Sequence, residues 1–150
     1  MNKFKLIITA LLIMIATNLS ANAATIGYAD FDKVLTEYKY ARNAFKDLDN
    51  KLLELQQYVI DKNKQFKSIE SPIQKKTFEE QIQKEFKTKE QRIYDLKVQK
   101  EKEIRTNVLA ASKAVAASKK LDVILDYAVV YAGGVDVTND IIQYLNTAKK

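Results

Sequence analysis

The feature that most constrains this chain is a long, charged run without glycine, from residue 38 to residue 120. In its first part, apolar residues recur at intervals of three and four, and Lys62 occupies the one interrupted position. This heptad spacing is typical of a helix whose narrow apolar seam packs against another helix. The seam consists of Ala41, Phe45, Leu48, Leu52, Leu55, Val59, Phe66 and Ile69. The pattern therefore predicts a helix that needs a partner.

The single proline of the chain, Pro72, marks where this helix ends. Proline disrupts a helix interior but fits its first turn, and Ser71 is a suitable N-cap before it. A second apolar stripe then runs toward Lys120 and contains Phe78, Ile82, Phe86, Ile93 and Leu96. Because the connection is so short, the two helices must run antiparallel. We predict a helical hairpin over residues 39–120, with its tip near residues 70–73.

The first 23 residues carry the features of a secretory signal peptide. Lys3 and Lys5 precede an apolar run, and small residues follow at 21–23, where cleavage is expected. The apolar run is shorter than the ~20 residues that a membrane span requires. We therefore predict a cleaved signal peptide over residues 1–23 and a soluble, exported chain. With no cysteine present, a lipid-anchored lipoprotein and disulfide bonds are excluded.

The ends of the exported chain, residues 24–38 and 121–150, contain all three glycines and differ in composition from the hairpin. Alternating apolar residues predict a strand near residues 25–30 and another over 121–127, and the two are expected to pair. The predicted remainder is a short helix over 31–37, a β-rich run over 128–132, a turn at Gly133-Gly134 and a last helix capped by Thr138. The expected fold is α+β and mostly α, a small β-containing body with the hairpin inserted.

A body of about 45 residues is close to the size at which oligomerisation is usually needed for stability. We therefore predict a homo-oligomer held together by apolar strand residues of the body. The candidate oligomerisation residues are Ile26, Tyr28, Val123, Leu125 and Val130.

The chain is basic, with a formal net charge of +6 and an isoelectric point near 9.3. Five lysines surround Glu70 at the predicted tip: Lys62, Lys64, Lys67, Lys75 and Lys76. They either keep a long hairpin soluble or form a basic surface that attracts anionic partners. Specific nucleic-acid binding is not expected, because an exported chain does not meet that partner.

Several kinds of catalytic site are excluded by composition. Histidine and cysteine are absent, so Ser-His, Cys-His and His-metal arrangements cannot form. No glycine-rich phosphate loop exists, and Asp30 and Asp32 alone are a weak metal signal that more often belongs to a helix cap. The sequence argues against an enzyme and predicts no cofactor and no metal.

Taken in order, these segments resemble the Skp/OmpH family of periplasmic chaperones. The resemblance rests on the signal peptide, the strand at residues 26–30, the lysine-rich hairpin and the alanine-rich run at 111–117. Its most specific part is the run at 121–126, followed by Val129-Val130-Tyr131 and Asp136-Val137-Thr138. Membership implies a jellyfish-like homotrimer whose body carries three helical tentacles around a cavity. It implies binding of unfolded outer-membrane β-barrel proteins without ATP, and raises lipopolysaccharide or an anionic membrane surface as a further partner.

A holdase chaperone needs many weak contacts, because a client held by a few strong ones could not leave without an energy source. We predict that the client contacts the basic tip and aromatic residues beside the seam. The candidate client-binding residues are Lys62, Lys64, Lys67, Lys75, Lys76, Tyr58 and Tyr94. The alternative is an envelope structural or adaptor protein, in which the hairpin is a coiled-coil spacer. An unfolded, acidic β-barrel precursor would be bound by the chaperone and ignored by the spacer.

Overall fold

The computed structural model describes residues 24–148, so the predicted signal peptide over residues 1–23 lies outside the described residues. The elements in chain order are strand β1 (Ile26–Ala29), helices α1 (Phe31–Glu37), α2 (Lys39–Ser68) and α3 (Pro72–Lys119), strand β2 (Val123–Asp126), a 3-10 turn (Tyr127–Val129), strand β3 (Val135–Asp136) and helix α4 (Thr138–Thr147). The predicted fold class is confirmed: the chain is mostly helical and has a small sheet.

Helices α2 and α3 form the hairpin and contain 30 and 48 residues. Pro72 lies in the first turn of α3, where its missing N–H costs nothing. Ser71 occupies the N-cap position, although its side chain makes no capping hydrogen bond. Helix α3 ends at Lys119, and its C-cap residue Lys120 has a φ of 56°, in the left-handed region. The chain turns there and returns to the body, which we define as residues 24–38 and 121–148.

The sheet of the body has the strand order β2-β1-β3, and both pairings are parallel. The predicted pairing of the two chain ends is therefore correct, with Ile26 beside Val123 and Tyr28 beside Leu125. On β1, Gly27 and Ala29 are buried, whereas Ile26 is exposed and Tyr28 is half-buried. A Cβ atom at Gly27 would lie 2.6 Å from the Leu121 side chain, so a larger residue there would have to displace that side chain.

The β-rich run predicted over residues 128–132 is wrong. The chain forms a 3-10 turn instead, because the Asp126 carboxylate accepts a hydrogen bond from the Ala128 N–H (2.9 Å) and stabilises a local turn. Val130 consequently lies outside the sheet. Gly133 and Gly134 then adopt the positive φ values that the turn prediction requires, 79° and 87°.

Thr138 also differs from its prediction, because it is the first residue of α4 and Val137 holds the N-cap position. Its hydroxyl is buried and accepts a hydrogen bond from the Asp30 N–H (3.0 Å) while donating one to Asp136 Oδ1 (2.6 Å). The bond from the Thr138 hydroxyl and a second one from the Thr138 N–H to the same oxygen (2.9 Å) lower the pKa of the Asp136 carboxyl. Thr138 therefore joins the ends of β1 and β3 to the start of α4.

The core lies where α1, α4 and the base of the hairpin pack against the sheet. Its members include Ala29, Val34, Ala41, Ile104, Ala111, Val115, Val137 and Ile141. Asn146 connects this core to the hairpin: its side chain accepts a hydrogen bond from the Lys39 N–H (2.9 Å) and donates one to the Glu37 carbonyl (3.0 Å). Helix α4 thereby satisfies the backbone at the break between α1 and α2. No helix within residues 24–148 is long and apolar enough to cross a membrane.

Candidate binding surfaces

The seam between α2 and α3 changes along its length. Near the body, Ala41 and Leu48 are buried as the heptad pattern predicts. Two other seam residues, Phe45 and Leu52, remain 42% and 47% exposed. A two-helix hairpin has only one helix to cover each seam, so side chains at its margins stay in contact with water. These residues therefore belong both to the seam and to the surface.

Polar bonds join the two helices along one side of the seam, and we call this the clasp side. Tyr58 donates a hydrogen bond to Glu85 (2.6 Å), and Tyr40 donates one to Glu103. At the base of the hairpin, the Asn107 amide donates one to the hydroxyl of Tyr38, the N-cap residue of α2 (3.1 Å). Burial and the bond to Glu85 raise the pKa of Tyr58 to about 12. The same bond lowers the pKa of Glu85, with help from the Gln81 amide. The clasp side thus fixes the register of the hairpin by polar contacts.

Two of the five candidate tip lysines are folded onto aromatic rings. The Lys62 ammonium lies 5.5 Å from the Tyr58 ring centroid and 5.6 Å from that of Phe78, and the Lys75 ammonium lies 5.7 Å from the Phe66 ring. Cation–π contacts of this kind are worth about 0.5–1 kcal/mol each at exposed sites. Because Phe66 and Phe78 also stack, with centroids 6.5 Å apart, the tip is held by alternating cations and rings.

The other candidate client-binding residues are placed differently. Lys64, Lys67 and Lys76 are exposed, and the Lys64 ammonium has only a distant acidic neighbour, Asp61 at 3.9 Å. Tyr94 is 60% exposed. Tyr58 is half-buried between the limbs, with its hydroxyl bonded to Glu85 and a second cation, Lys89, 5.0 Å from its ring centroid. The geometry therefore separates three exposed lysines and one exposed tyrosine from three residues that stabilise the hairpin.

Apolar grooves occupy the opposite side of the seam. At about 100° per residue, helical geometry turns Phe45, Leu52 and Ile60 away from Tyr40 and Tyr58. A base groove of about 660 Å³ is lined mainly by apolar residues, with three polar ones: Phe31, Leu35, Phe45, Ile104, Val108, Leu109 and Ile124, together with Glu101, Arg105 and Ser112. A middle groove of about 460 Å³ contains Leu52, Leu55, Gln56, Val59, Ile60 and Phe86, and a tip groove of about 200 Å³ contains Asn63, Phe66, Glu79, Ile82 and Gln83. We call these three grooves together the apolar track.

Sequence reasoning missed the apolar track because it assigned the whole stripe to the seam. A signal was nevertheless present. Leu53 and Ile60 lie seven residues apart on α2, outside the seam positions, and both are exposed. Apolar residues that repeat at a heptad position outside the seam indicate a second apolar surface on the same helix.

Residues 25–145 match the family described as outer membrane protein (OmpH-like). The chain belongs to this family. The resemblance found in the sequence is therefore confirmed over most of the chain. No curated protein matches the chain. The OmpH-like family is a periplasmic chaperone family that acts on outer-membrane proteins, and it is generally non-enzymatic.

In this OmpH-like chain, four of the five candidate oligomerisation residues share the outer face of the sheet. Ile26 lies beside Val123, and Tyr28 lies beside Leu125, so all four side chains point away from the helices. Ile26 and Val123 are 40% and 38% exposed. Val130 is not part of this face, since it lies beyond the end of β2. The role of the five residues in assembly stays a prediction.

Proposed function

We propose that this chain is an ATP-independent holdase of the periplasm, which binds unfolded outer-membrane β-barrel proteins and prevents their aggregation before membrane insertion. The observation that carries the proposal is the OmpH-like match over residues 25–145, which spans the body and both limbs of a hairpin with two exposed, chemically different sides. Export by a cleaved signal peptide at residues 1–23 is part of the proposal.

The surface of the hairpin fits a client that must be held and later released. On the track side, apolar residues such as Phe45, Leu52 and Ile60 are only half covered, so each contact with a client removes a modest apolar area from water. At the tip, exposed lysines attract acidic segments over a distance of about 8 Å at physiological salt. Because every contact is weak, the complex can dissociate when the client begins to fold, and no nucleotide is required.

The proposal also includes a homotrimer, as the family resemblance implies, and the body offers a surface for its interface. An isolated subunit leaves the outer face of its sheet in water, including Ile26 and Val123, and the segment after β2 exposes Tyr127, Val129 and Tyr131 as well. Exposed apolar surface of this kind marks an interface. Three bodies that cover these residues would hold three hairpins around a common space, in which a client could be enclosed.

The proposal is tested by diluting a urea-unfolded outer-membrane barrel into buffer with and without the purified protein, in the absence of ATP, and following light scattering. We expect the barrel to stay soluble with the protein and to aggregate without it. A folded, detergent-solubilised sample of the same barrel is the matched control and should not bind. If the unfolded barrel aggregates equally with and without the protein, the hairpin is a spacer, and the envelope structural role replaces the chaperone.

A further inference from the structure

The amide side chains on the two sides of the hairpin differ in their hydrogen bonding. On the clasp side, Gln81 and Gln99 donate hydrogen bonds to Glu85 and Glu103, at 2.8 and 2.9 Å. On the track side, Gln56, Asn63 and Gln83 line the middle and tip grooves. Within residues 24–148 none of these three amides has a hydrogen-bond partner. An amide that both donates and accepts suits the N–H and C=O groups of a peptide backbone.

The length of the apolar track matches one kind of ligand. From Phe45 to Phe66 helix α2 rises by about 32 Å, at 1.5 Å per residue. An extended chain covers that distance in about ten residues, at 3.3 Å per residue. This is the length of a single membrane-spanning β-strand, about 9–11 residues.

The spacing of the middle and tip grooves agrees with the alternation of such a strand. On α2, the middle groove is centred near Gln56, and the tip groove lies between Asn63 and Phe66. The two groove centres are therefore about 13 Å apart along the helix axis. Four residues of extended chain cover the same distance, so strand residues i and i+4 would enter the two grooves from one face. The polar residues between them would face water.

We propose that the apolar track binds one extended segment of an unfolded chain, about ten residues long, whose apolar residues alternate with polar ones. The free amides bond the backbone of the segment, and the grooves take its apolar side chains. The inference rests on the proposed holdase function and deepens it, because it makes a single barrel strand the unit of recognition. The clasp side keeps the two limbs in register and takes no client.

The first test maps which side of the hairpin the client contacts. A photo-reactive benzoylphenylalanine is placed at Leu52 on the track or at Asp47, which is exposed, lies one heptad after Tyr40 on the clasp side and lines none of the three grooves. The unfolded barrel is added before illumination. We expect several-fold more cross-linked barrel at Leu52. Equal yields at the two positions would overturn the track, even if the barrel stays soluble and the holdase function stands. Cross-links at Leu52 between two copies of the chain would also overturn it, because a neighbouring hairpin would then fill the grooves.

The second test uses ligand pattern and does not depend on the holdase assay. Two fluorescent ten-residue peptides have the same composition, one with alternating and one with segregated apolar residues, and their binding is followed by anisotropy. We expect the alternating peptide to bind several-fold more tightly. Ile60→Ser should remove this preference, whereas Ile73→Ser, at an 80% exposed site outside the grooves, should keep it. Equal binding of both peptides to the wild-type protein, or equal effects of the two substitutions, would refute the proposal. An aggregated barrel beside a retained peptide preference would instead reject only the holdase function.

Discussion

The body and the hairpin are both largely helical, yet they are stabilised in different ways. In the body, Val34, Val137 and Ile141 are completely buried between a sheet and several helices. In the hairpin, every residue between positions 49 and 103 is at least partly exposed to water. A sheet with helices on one face encloses a core from several directions, whereas two helices cover each other along one line only.

This difference explains why the hairpin leaves large apolar side chains such as Leu52 and Ile60 in contact with water. Its limbs are joined by separate polar and cation–π contacts, such as Tyr58 with Glu85 and Lys62 with Phe78. Few buried apolar contacts mean low local stability, and segments of low stability open and adapt more readily. In the proposed chaperone, the body would hold the assembly while the hairpins adjust to clients of different sequence.

The largest expected effect compares equivalent substitutions in the two regions. Ile141→Ala in the body should lower the free energy of unfolding by about 2–5 kcal/mol, because it leaves a cavity in a closed core. Ile93→Ala in the half-buried seam should cost about 1 kcal/mol, because less apolar area is lost. Urea unfolding followed by circular dichroism measures both. Equal losses would mean that the hairpin and the body form one cooperative core.

The next effect concerns assembly. Leu125→Asp places a carboxylate on the outer face of the sheet, and if this face is covered in the oligomer, the substitution should cost about 1–3 kcal/mol per subunit. Sedimentation should then show a monomer. Leu53→Asp, at a 61% exposed site of the hairpin, is the matched control and should leave the oligomer intact. A Leu125→Asp protein that sediments as wild type would remove the outer face from the interface.

The sequence predicted elements best where local pattern and packing agree. The heptad, Pro72 and the alternation around Val123 each have a local physical cause, and the structure contains the corresponding helices and strand. The prediction failed at residues 128–132, where the pattern favours β-structure but one side-chain bond from Asp126 favours a turn. The strand propensity of single residues does not account for a side-chain hydrogen bond of this kind.

The candidate site was predicted less completely than the fold. The five tip lysines look alike in the sequence, yet Lys62 and Lys75 lie on aromatic rings and the other three are exposed to water. Three contacts of the tip cross from α2 to α3: Lys62 with Phe78, Phe66 with Lys75, and Phe66 with Phe78. Only the contact of Lys62 with Tyr58 lies within one helix. Contacts between distant positions follow from the register of the hairpin, and heptad spacing leaves that register open.

A smaller effect separates the two classes of lysine. Reversing Lys64, Lys67 and Lys76 to glutamate should slow association with an acidic unfolded barrel at low salt, and the difference should shrink as salt rises. Hydrogen exchange of the hairpin should not change. Reversing Lys62 and Lys75 should instead accelerate exchange at the tip, because the aromatic rings lose their cations. Stopped-flow binding and exchange mass spectrometry provide the two measurements. If the two variants changed association and hydrogen exchange to the same extent, the contacts of Lys62 and Lys75 with aromatic rings would not stabilise the tip.

The smallest expected effect is a response of the hairpin to acid. The hydrogen bond from Tyr58 lowers the pKa of Glu85 below its ordinary value of 4.5. The ionised carboxylate is therefore more stable in the folded hairpin than in the unfolded chain. Its stabilisation is therefore complete above pH 4.5 and is lost as the pH falls below that value. Glu85→Gln keeps an acceptor for Tyr58 but does not ionise.

The measurement is hydrogen exchange of the hairpin amides around Glu85 between pH 6 and pH 3, corrected for intrinsic rates. We expect wild-type protection to fall with pH and Glu85→Gln protection to stay level. The body needs separate attention, because Asp136 also has a lowered pKa and loses its bonds to Thr138 in acid. Glu85→Gln should leave the acid response of the body amides unchanged. If the hairpin amides of both proteins respond alike, the Tyr58–Glu85 bond does not control the limbs, and the aromatic and lysine contacts of the tip hold them together instead.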